Sequence, residues 1–237
     1  MSRTQGLIVA IDGPAGSGKS TAAKLLAERL GYTLLDTGAI YRSLALIAKE
    51  QGVSWDDEAG LAALAGALEV RFSLREGVNR VLLGDRDVTP QIRTPEMNDG
   101  ASQVSRHPQV RRVLLGLQRR LAAAGGIVAE GRDVGTVVFP DAEAKFFLTA
   151  SAEVRAARRH LELRALGHEV DYAQVLADQV ARDRRDSTRQ VAPLTQAADA
   201  VVIDSSVLGP ERVVDEMEGL VRARVDANSI DKRREGV

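Results

Sequence analysis

Residues 13–20 read Gly13-Pro14-Ala15-Gly16-Ser17-Gly18-Lys19-Ser20, which fits the P-loop pattern G-x-x-x-x-G-K-[ST]. A short apolar run, Leu7 to Ile11, precedes this stretch and is typical of a buried parallel strand. Thr21 to Leu30 follow with apolar residues at helical spacing, and Gly31 is a typical helix stop. A glycine loop between a strand and a helix presents backbone N–H groups to phosphate oxygens. The sequence therefore predicts a site for a nucleoside triphosphate.

Two residues of this loop have specific roles in such a site. Lys19 is expected to neutralise charge on the β- and γ-phosphates, and Ser20 is expected to offer its hydroxyl to Mg²⁺. The alternative is a strand–turn–helix that carries the same eight residues by coincidence. Because both flanking segments have the character that the motif needs, we expect triphosphate binding, and the open question is what receives the phosphate.

The composition bounds the class of protein. A chain of 237 residues suits one large α/β domain with a small insert. Its 32 basic and 33 acidic residues leave a formal charge of −1, which argues against a general nucleic-acid coat or a membrane-surface protein. There is no cysteine, so disulfides, thiolate zinc sites and thiol nucleophiles are excluded. With no long apolar span and no signal-peptide pattern, we expect a soluble, cytoplasmic protein.

Strand-like and helix-like segments alternate along the chain, which predicts a parallel sheet covered by helices on both faces. Segments with strand character after the first are Tyr32 to Leu35, Gly126 to Ala129, Ala144 to Leu148 and Ala200 to Ile203. Segments with helix character are Gly38 to Gln51, His107 to Ala124, Ser151 to Leu166, Asp171 to Arg185 and Gly209 to about Val225. The stretch from Leu68 to Thr94 departs from this alternation of strands and helices. Its apolar and polar residues alternate, and Glu76 to Asn79 are typical of a hairpin turn, which predicts a small antiparallel insert.

Polar residues follow two of the predicted strands, where the ligand crevice of an open α/β sheet lies. Asp36 to Arg42 come after the second strand, and Glu130 to Thr136 come after the third. Arg42 lies early in a helix, where its charge opposes the helix dipole, so another reason for its presence is expected. The alternative explanation for Asp36 to Arg42 is ordinary helix capping with an exposed arginine. The alternative for Glu130 to Thr136 is a tight turn with a local ion pair.

Arginines and small polar residues recur in three further places. Asn98 to Gln103, with Arg111 and Arg112, have the chemistry to read a base edge, although a polar loop beside a solvated helix would look the same. If the helix predicted for Asp171 to Arg185 extends as far as Arg189, then Arg182, Asp186 and Arg189 lie on one face of it and can bind phosphates. Arg155, Arg158 and Arg159 on the preceding helix add candidates for a mobile lid; the alternative is a solvated charge run.

In combination, these motifs resemble the bacterial cytidylate kinase family over about residues 6 to 225. The matching stretches are Ile11 to Thr21, Leu35 to Arg42, Ile92-Arg93-Thr94, Ala101 to Val104, Glu130 to Pro140, and Arg182-Asp183 through Val191-Ala192-Pro193. The resemblance implies an α/β fold of the P-loop nucleoside monophosphate kinase type, with a five-stranded parallel sheet flanked by helices. It also implies a monophosphate-binding insert at about 64–100 and a helical lid at about 155–190. The polar residues at 1–5 and 226–237 predict flexible termini.

The resemblance further implies a reaction: ATP-dependent phosphorylation of CMP and dCMP to CDP and dCDP, with Mg²⁺, by in-line transfer of the γ-phosphoryl group. We also expect a monomer, and the charge balance predicts that it binds neither nucleic acid nor membrane. Its implied site residues are as follows: Gly13, Pro14, Ala15, Gly16, Ser17, Gly18, Lys19, Ser20 and Thr21 for ATP; Ser20 for the metal; Arg42 and Arg132 for the acceptor phosphate; Ser102, Arg111 and Asp133 for cytosine; Thr37 and Asp186 for the pentose; Tyr41 within the same substrate stretch; and Lys19, Arg132, Arg182 and Arg189 for catalysis. The family often has serine in place of Thr37 and aspartate in place of Glu130, so a metal role of Glu130 stays open.

Three other functions compete with this hypothesis. One is a P-loop kinase for a different small acceptor, such as UMP, AMP or shikimate. Another is a P-loop binding switch without a phosphoryl acceptor, but the N-K-x-D motif expected of a GTPase of that kind is missing. The third is a nucleic-acid-dependent ATPase, which the charge balance and the 3% aromatic content disfavour.

Overall fold

The structure is a computed structural model that describes residues 6–75, 77–165, 167–189 and 191–235, with side chains as far as residue 227. Segment 1–5, expected to be flexible, lies outside the described residues, as do residues 236 and 237. Five parallel strands form the central sheet in the order β2-β6-β1-β7-β8. These strands are β1 (Ile8–Asp12), β2 (Thr33–Asp36), β6 (Ile127–Gly131), β7 (Ala144–Thr149) and β8 (Val201–Asp204).

Helices cover both faces of this sheet, as the alternation in the sequence predicted. They are α1 (Lys19–Leu30), α2 (Thr37–Glu50), α3 (Glu58–Gly66), α4 (Pro95–Val104), α5 (Pro108–Leu121), α6 (Ala152–Ala165), α7 (Tyr172–Thr188) and α8 (Pro210–Glu235). Successive side chains of a strand point to opposite faces. Val9 and Ile11 of β1 accordingly pack in the cluster with α1 and α8, while Ile8 and Ala10 pack in the cluster with α2 and α5.

The predicted insert is an antiparallel sheet of three strands in the order β3-β4-β5. Its strands are β3 (Val70–Arg75), β4 (Val78–Leu83) and β5 (Arg86–Asp87), and a 3-10 turn follows at Gln91–Arg93. Strand β4 begins at Val78, inside the stretch that was expected to form the turn, and Glu76 of that stretch lies outside the described residues. Val81 and Val88 are fully or almost fully buried, so the insert packs against the main core on one face.

Two helices near the insert were not predicted. Helix α3 contains Gly60 and Gly66 among alanines, and so it lacks a clear apolar stripe. Helix α4 includes Asn98, Asp99 and Gly100, which are poor helix formers, so this stretch resembled a polar loop. Thr94 caps α4 by accepting a hydrogen bond from the Met97 N–H, and burial of Met97 and Val104 holds the helix in place. Tertiary packing outweighs local propensity in both helices.

The last two helices end differently from expectation. Helix α7 stops at Thr188, and Arg189 has the extended backbone of a helix cap, so Arg189 does not continue the helical face of Arg182 and Asp186. Helix α8 continues to Glu235 rather than ending near Val225. Mobility of the polar tail 226–237 stays a prediction. Within the stretches that the structure describes, no helix is both long enough and apolar enough to cross a membrane.

Candidate active site

The glycine loop joins β1 to α1 at the carboxyl end of the central strand. Gly13, Gly16 and Gly18 all have positive φ values, which glycine adopts at no steric cost. At Gly13 a Cβ atom would lie 2.0 Å from the Leu148 carbonyl oxygen of β7, so only glycine fits there. The helix begins directly after the loop, at Lys19, and its first N–H groups face the loop. This is the geometry of an anion-binding helix N-terminus.

Lys19 is buried, and its Nζ donates to the Pro14 carbonyl oxygen at 2.9 Å. Burial and the nearby positive charges of Arg132 and Arg182 together lower the pKa of Lys19 to about 7. Glu130 and Asp12 act in the opposite direction but do not compensate. Lys19 is therefore poised to gain an anionic partner, because a phosphate would restore the preference for the charged ammonium.

A cleft runs from the P-loop to helices α2, α4, α5 and α7. It brings together every residue that was predicted for the acceptor and for catalysis, although these residues come from distant parts of the chain. Those lining it are Lys19, Ser20, Thr37, Tyr41, Arg42, Ser102, Arg111, Arg132, Asp133, Arg182, Asp186 and Arg189. Six cationic side chains and four carboxylates line this cleft, which suits an anionic ligand.

Two arginines that were predicted for the acceptor phosphate already have carboxylate partners. Arg42 donates from Nη2 to Asp36 at 2.7 Å, and Arg132 donates from Nε to Asp186 at 2.9 Å. Asp36 also caps α2 by accepting from the Ala39 N–H, so the capping explanation and the arginine pair hold at once. The Nε of Arg42 is buried and has no hydrogen-bond partner. Such an unsatisfied donor is costly unless a ligand satisfies it.

Arg111 and Asp133 form a buried ion pair, and Arg189 Nη2 lies 3.5 Å from the other carboxylate oxygen of Asp133. The Arg111 guanidinium lies 5.7 Å from the centre of the Tyr41 ring, in the range of a cation–π contact. Arg111 is on α5 and Asp133 follows β6, so each is fixed by a well-packed element. A donor and an acceptor side by side match the hydrogen-bonding edge of a base.

Thr37 is the first residue of α2, and its hydroxyl donates to the Glu130 carbonyl oxygen at 2.7 Å. A Cβ atom on Gly131 would lie 2.5 Å from the Thr37 hydroxyl oxygen, so the close approach of α2 to β6 requires glycine at position 131. Because its hydrogen is already used, the Thr37 hydroxyl can only accept a hydrogen bond from a ligand.

Ser20 and Glu130 form the part of the cleft suited to a metal. The Ser20 hydroxyl donates to Glu130 Oε2 at 2.9 Å. Burial raises the pKa of Glu130, and the negative charge of Asp36 raises it further. No group of three or more acidic, histidine or cysteine side chains that could hold a metal exists among the described residues. A hydroxyl and one carboxylate nevertheless suit Mg²⁺, which binds one or two protein carboxylates together with phosphates and water.

Asp12 is a site residue that the sequence interpretation did not single out. It ends β1, and its carboxylate accepts hydrogen bonds from the N–H groups of Val134 and Gly135 at 2.8 and 2.7 Å. Burial raises the pKa of Asp12 to about 6, against the effect of these two N–H donors. Asp12 thus fixes the short π-helix Val134–Val138, and with it the position of Asp133 immediately before it.

A second hollow lies on the other side of the P-loop. Its lining includes Ser17, Gly18 and Thr21 from the loop and α1, together with Leu148, Arg158, Ser205, Leu208 and Val213. Arg158 donates from Nη2 to the Ser205 carbonyl oxygen at 2.6 Å, which closes one wall. Ser205 and Leu208 were missed because nothing local in the sequence marks the loop after β8. Gly13 and Pro14 are buried and line neither hollow.

Fold and site together define a P-loop kinase of the α/β class. Residues 9–223 match the profile of the cytidylate kinase family. The chain is 53% identical over 220 residues to the cytidylate kinase of Geobacter sulfurreducens, covering 93% of this chain and 94% of that protein. It is 51% identical over 223 residues to the cytidylate kinase of Citrifermentans bemidjiense, covering 94% and 96%. The chain therefore belongs to the cytidylate kinase family.

Among solved structures, an uncharacterized protein from Eubacterium ventriosum is similar to this chain in fold alone. The TM-score is 0.51 at 16% sequence identity, covering 91% of this chain and 98% of that one.

Proposed function

We propose that this protein transfers the γ-phosphoryl group of ATP to CMP and dCMP, forming CDP and dCDP. The observation that carries the proposal is a single cleft that is lined both by Lys19 of the P-loop and by the Arg111–Asp133 pair. The phosphate-binding loop and an ion pair that can hydrogen-bond to a base line the same cleft. Phosphoryl transfer between two nucleotides requires both nucleotides to bind in such a shared cleft. The relatives named above are cytidylate kinases, which supports the choice of pyrimidine acceptor.

On the donor side, the P-loop from Gly13 to Thr21 holds the triphosphate of ATP through backbone N–H groups. Lys19 supplies positive charge to the β- and γ-phosphates, leaving the Pro14 carbonyl with which it is paired. The second hollow, beside Arg158 and Ser205, accommodates the adenosine, because it opens on the other side of the same loop. These roles are supported by the positions of the main cleft and the second hollow, which are both lined by residues of the P-loop.

Ser20 and Glu130 would hold Mg²⁺, with the Ser20 hydroxyl as a direct ligand. A bound Mg²⁺ supplies positive charge that offsets charge on the phosphates. The Ser20–Glu130 contact and the raised pKa of Glu130 support this placement, because a cation there would relieve the mutual repulsion of Glu130 and Asp36. Glu130 takes part through its carboxylate, which already touches the serine hydroxyl.

On the acceptor side, Arg42 and Arg132 bind the 5′-phosphate by exchanging their carboxylate partners for phosphate oxygens. Asp133, Arg111 and Ser102 recognise cytosine: the carboxylate accepts from the exocyclic amine, and the guanidinium donates to ring acceptors. Asp186 and Thr37 contact the pentose, Thr37 as an acceptor from a sugar hydroxyl. Tyr41 supports Arg111 through the cation–π contact.

Arg132, Arg182 and Arg189 stabilise the charge that spreads over the transferred phosphoryl group. Burial and the positive charge of Arg132 together lower the pKa of Arg182 to about 10, although Asp186 acts in the opposite direction. The negative charge of bound phosphates would raise this pKa again. The lid, about 155–190, carries two of these arginines, and the insert, about 64–100, carries Asn98 of the cleft wall. We further propose a cytoplasmic monomer, a proposal supported by the fact that the residues proposed for CMP binding and catalysis all line one cleft of a single chain.

The test is a coupled assay of ADP release with ATP, Mg²⁺ and one acceptor at a time: CMP, dCMP, UMP, AMP or GMP. We expect CMP and dCMP to be phosphorylated at the highest kcat/KM. Preference for UMP, for AMP or for a non-nucleotide acceptor such as shikimate would favour another small-substrate kinase. ATP hydrolysis that is slow and not stimulated by any acceptor would favour a binding switch.

A further inference from the structure

Both lid helices contact the P-loop at one backbone atom, the carbonyl oxygen of Ala15. Gln179 of α7 donates from Nε2 to this oxygen at 2.6 Å, and Arg155 of α6 donates from Nη1 at 3.1 Å. A carbonyl oxygen has two lone pairs, so two side chains from different helices satisfy it fully. The direction of this carbonyl is therefore set by the lid and not by the loop alone.

These two donors are themselves held in place. Gln179 and Arg155 are 7% and 5% exposed. Arg155 also donates to the Ala150 carbonyl at 2.9 Å and to the Asp183 carboxylate at 2.6 Å. At Gly16 a Cβ atom would lie 3.0 Å from the Arg155 Cβ, so α6 lies directly against the loop. Gln179 occupies a buried position on α7 where an apolar side chain would normally pack, and its amide meets the loop carbonyl there.

The direction of the Ala15 carbonyl has a consequence for the next residue. The peptide unit between Ala15 and Gly16 is planar and trans, so the Gly16 N–H points opposite to the Ala15 carbonyl. Gly16 lines the active-site cleft. Any side chain that fixes the carbonyl on the lid side thereby fixes an N–H donor of the phosphate cradle.

We propose that Gln179 is a positioning residue that holds the Ala15–Gly16 peptide so that the Gly16 N–H faces the triphosphate of ATP. The inference rests on the proposed function, in which the P-loop is the donor site. Gln179 acts through the loop backbone and does not touch the acceptor. Arg182 and Asp186 lie three and seven residues further along the same helix and line the cleft, so α7 links the two halves of the site.

The test uses two substitutions that change Gln179 in opposite ways. Gln179→Met keeps the length of the side chain and removes its donor, and Gln179→Glu keeps the shape but places an acceptor against the carbonyl. Gln174→Met is the matched control, since Gln174 lies on the same helix, is exposed, and donates from its side-chain amide to Asp178 of that helix and not to the P-loop. For each protein we would measure the Kd of ATP without CMP, the Kd of CMP without ATP, the single-turnover transfer rate and the Tm.

We expect Gln179→Met to raise the Kd of ATP about fivefold to tenfold, the loss expected for one hydrogen bond, and Gln179→Glu to raise it more. The transfer rate should fall in the same order, while the Kd of CMP stays close to that of the wild type and of Gln174→Met. The Tm of Gln179→Met should also stay close to theirs, whereas that of Gln179→Glu should fall, because its carboxylate is buried against the Ala15 carbonyl oxygen. An unchanged Kd of ATP in both variants would overturn the inference, and so would a parallel loss of CMP binding, which would identify Gln179 as a lid-packing residue.

The proposed function is judged separately, by turnover of the wild type. Phosphorylation of CMP by a wild type whose Gln179 variants bind ATP normally would overturn this inference alone. Failure of the wild type to use CMP would overturn the proposed function and leave the ATP titrations to decide the role of Gln179.

Discussion

The donor and acceptor sides of the cleft are built from different kinds of groups. On the donor side, consecutive residues supply backbone N–H groups, and glycine conformations such as that of Gly13 create the space. On the proposed acceptor side, side chains from β2, α2, α5, α7 and the segment after β6 form arginine–carboxylate pairs, among them Arg42–Asp36 and Arg132–Asp186. The donor side is preorganised by the chain path, whereas the acceptor side must exchange internal partners for ligand atoms.

This difference predicts how each side responds to substitution. A backbone cradle fails when its path is distorted, and replacing exposed side chains nearby does little. A paired side-chain site fails when either partner is removed, because the other partner is left buried with an unbalanced charge. Four measurements test this contrast, beginning with the largest expected effect.

Lys19→Ala should lower kcat by about 10³-fold or more, because it removes a positioned charge from the phosphates in the transition state. The measurement is the coupled ADP-release assay with ATP and CMP. Lys24→Ala, on the same helix but outside the main cleft, should stay close to the wild type. A Lys19→Ala variant with near-normal kcat would refute the assigned role.

Gly13→Ala should weaken ATP binding by about 10²-fold, since its Cβ would lie 2.0 Å from the Leu148 carbonyl oxygen and the loop would have to move. Gly31→Ala is a matched control at the other end of α1. Gly31 also has positive φ, but no atom lies within 4 Å of its added Cβ. The control should lose only about 1 kcal/mol of stability, with normal ATP binding in calorimetry. Equal effects on ATP binding would show that φ strain, and not the close approach to β7, makes Gly13 necessary.

Arg111→Ala and Asp133→Ala should each raise the KM for CMP by about 10-fold to 100-fold and reduce the preference for CMP over UMP, because each removes one half of a base-reading pair. Arg112→Ala provides the control, since Arg112 is the exposed neighbour on α5. The measurement is kcat/KM for both acceptors. An unchanged CMP-to-UMP preference in both variants would remove the base-recognition proposal.

ATP binding at about pH 8.5 should take up close to one proton, which is the smallest effect of the four. The pKa of Lys19 is lowered to about 7 without ligand, so Lys19 is mostly neutral at this pH, and phosphate would raise its pKa again. ATP affinity should therefore fall as the pH rises above 7. Calorimetry in buffers of different ionisation enthalpy counts the protons. Lys19→Arg should show no uptake, because arginine keeps its charge, and uptake in that variant would assign the proton to another group.

The sequence predicted those parts of the molecule whose signals are local. The five strands, the P-loop and the lid helices each follow from a contiguous pattern, and the structure confirms the strand and helix alternation. Helices α3 and α4 were not predicted, because glycine and short polar residues obscure their helical periodicity. Packing of α3 against α5 and of α4 against α2 stabilises both helices despite this weak local preference.

Contacts between distant segments could not be predicted in the same way. The Asp12 carboxylate accepts a hydrogen bond from the Val134 N–H, 122 residues away in the sequence. The Gln179 amide donates to the Ala15 carbonyl oxygen, 164 residues away. A lone aspartate at a strand end and a lone glutamine on a helix are common, so only the fold reveals that their partners are loop backbone groups. Strand ends and helical spacing pointed to several of the acceptor candidates, but the individual role of each residue was predicted only through resemblance to a family.

Asp133 is paired with two arginines, Arg111 on α5 and Arg189 directly after α7. In the proposed function, a base that binds this carboxylate would compete with both arginines and would release Arg189 toward the phosphates. A base that leaves Asp133 alone also leaves Arg189 tethered. The identity of the base would then change the rate of phosphoryl transfer as well as the binding affinity, because both effects depend on the two carboxylate oxygens of Asp133.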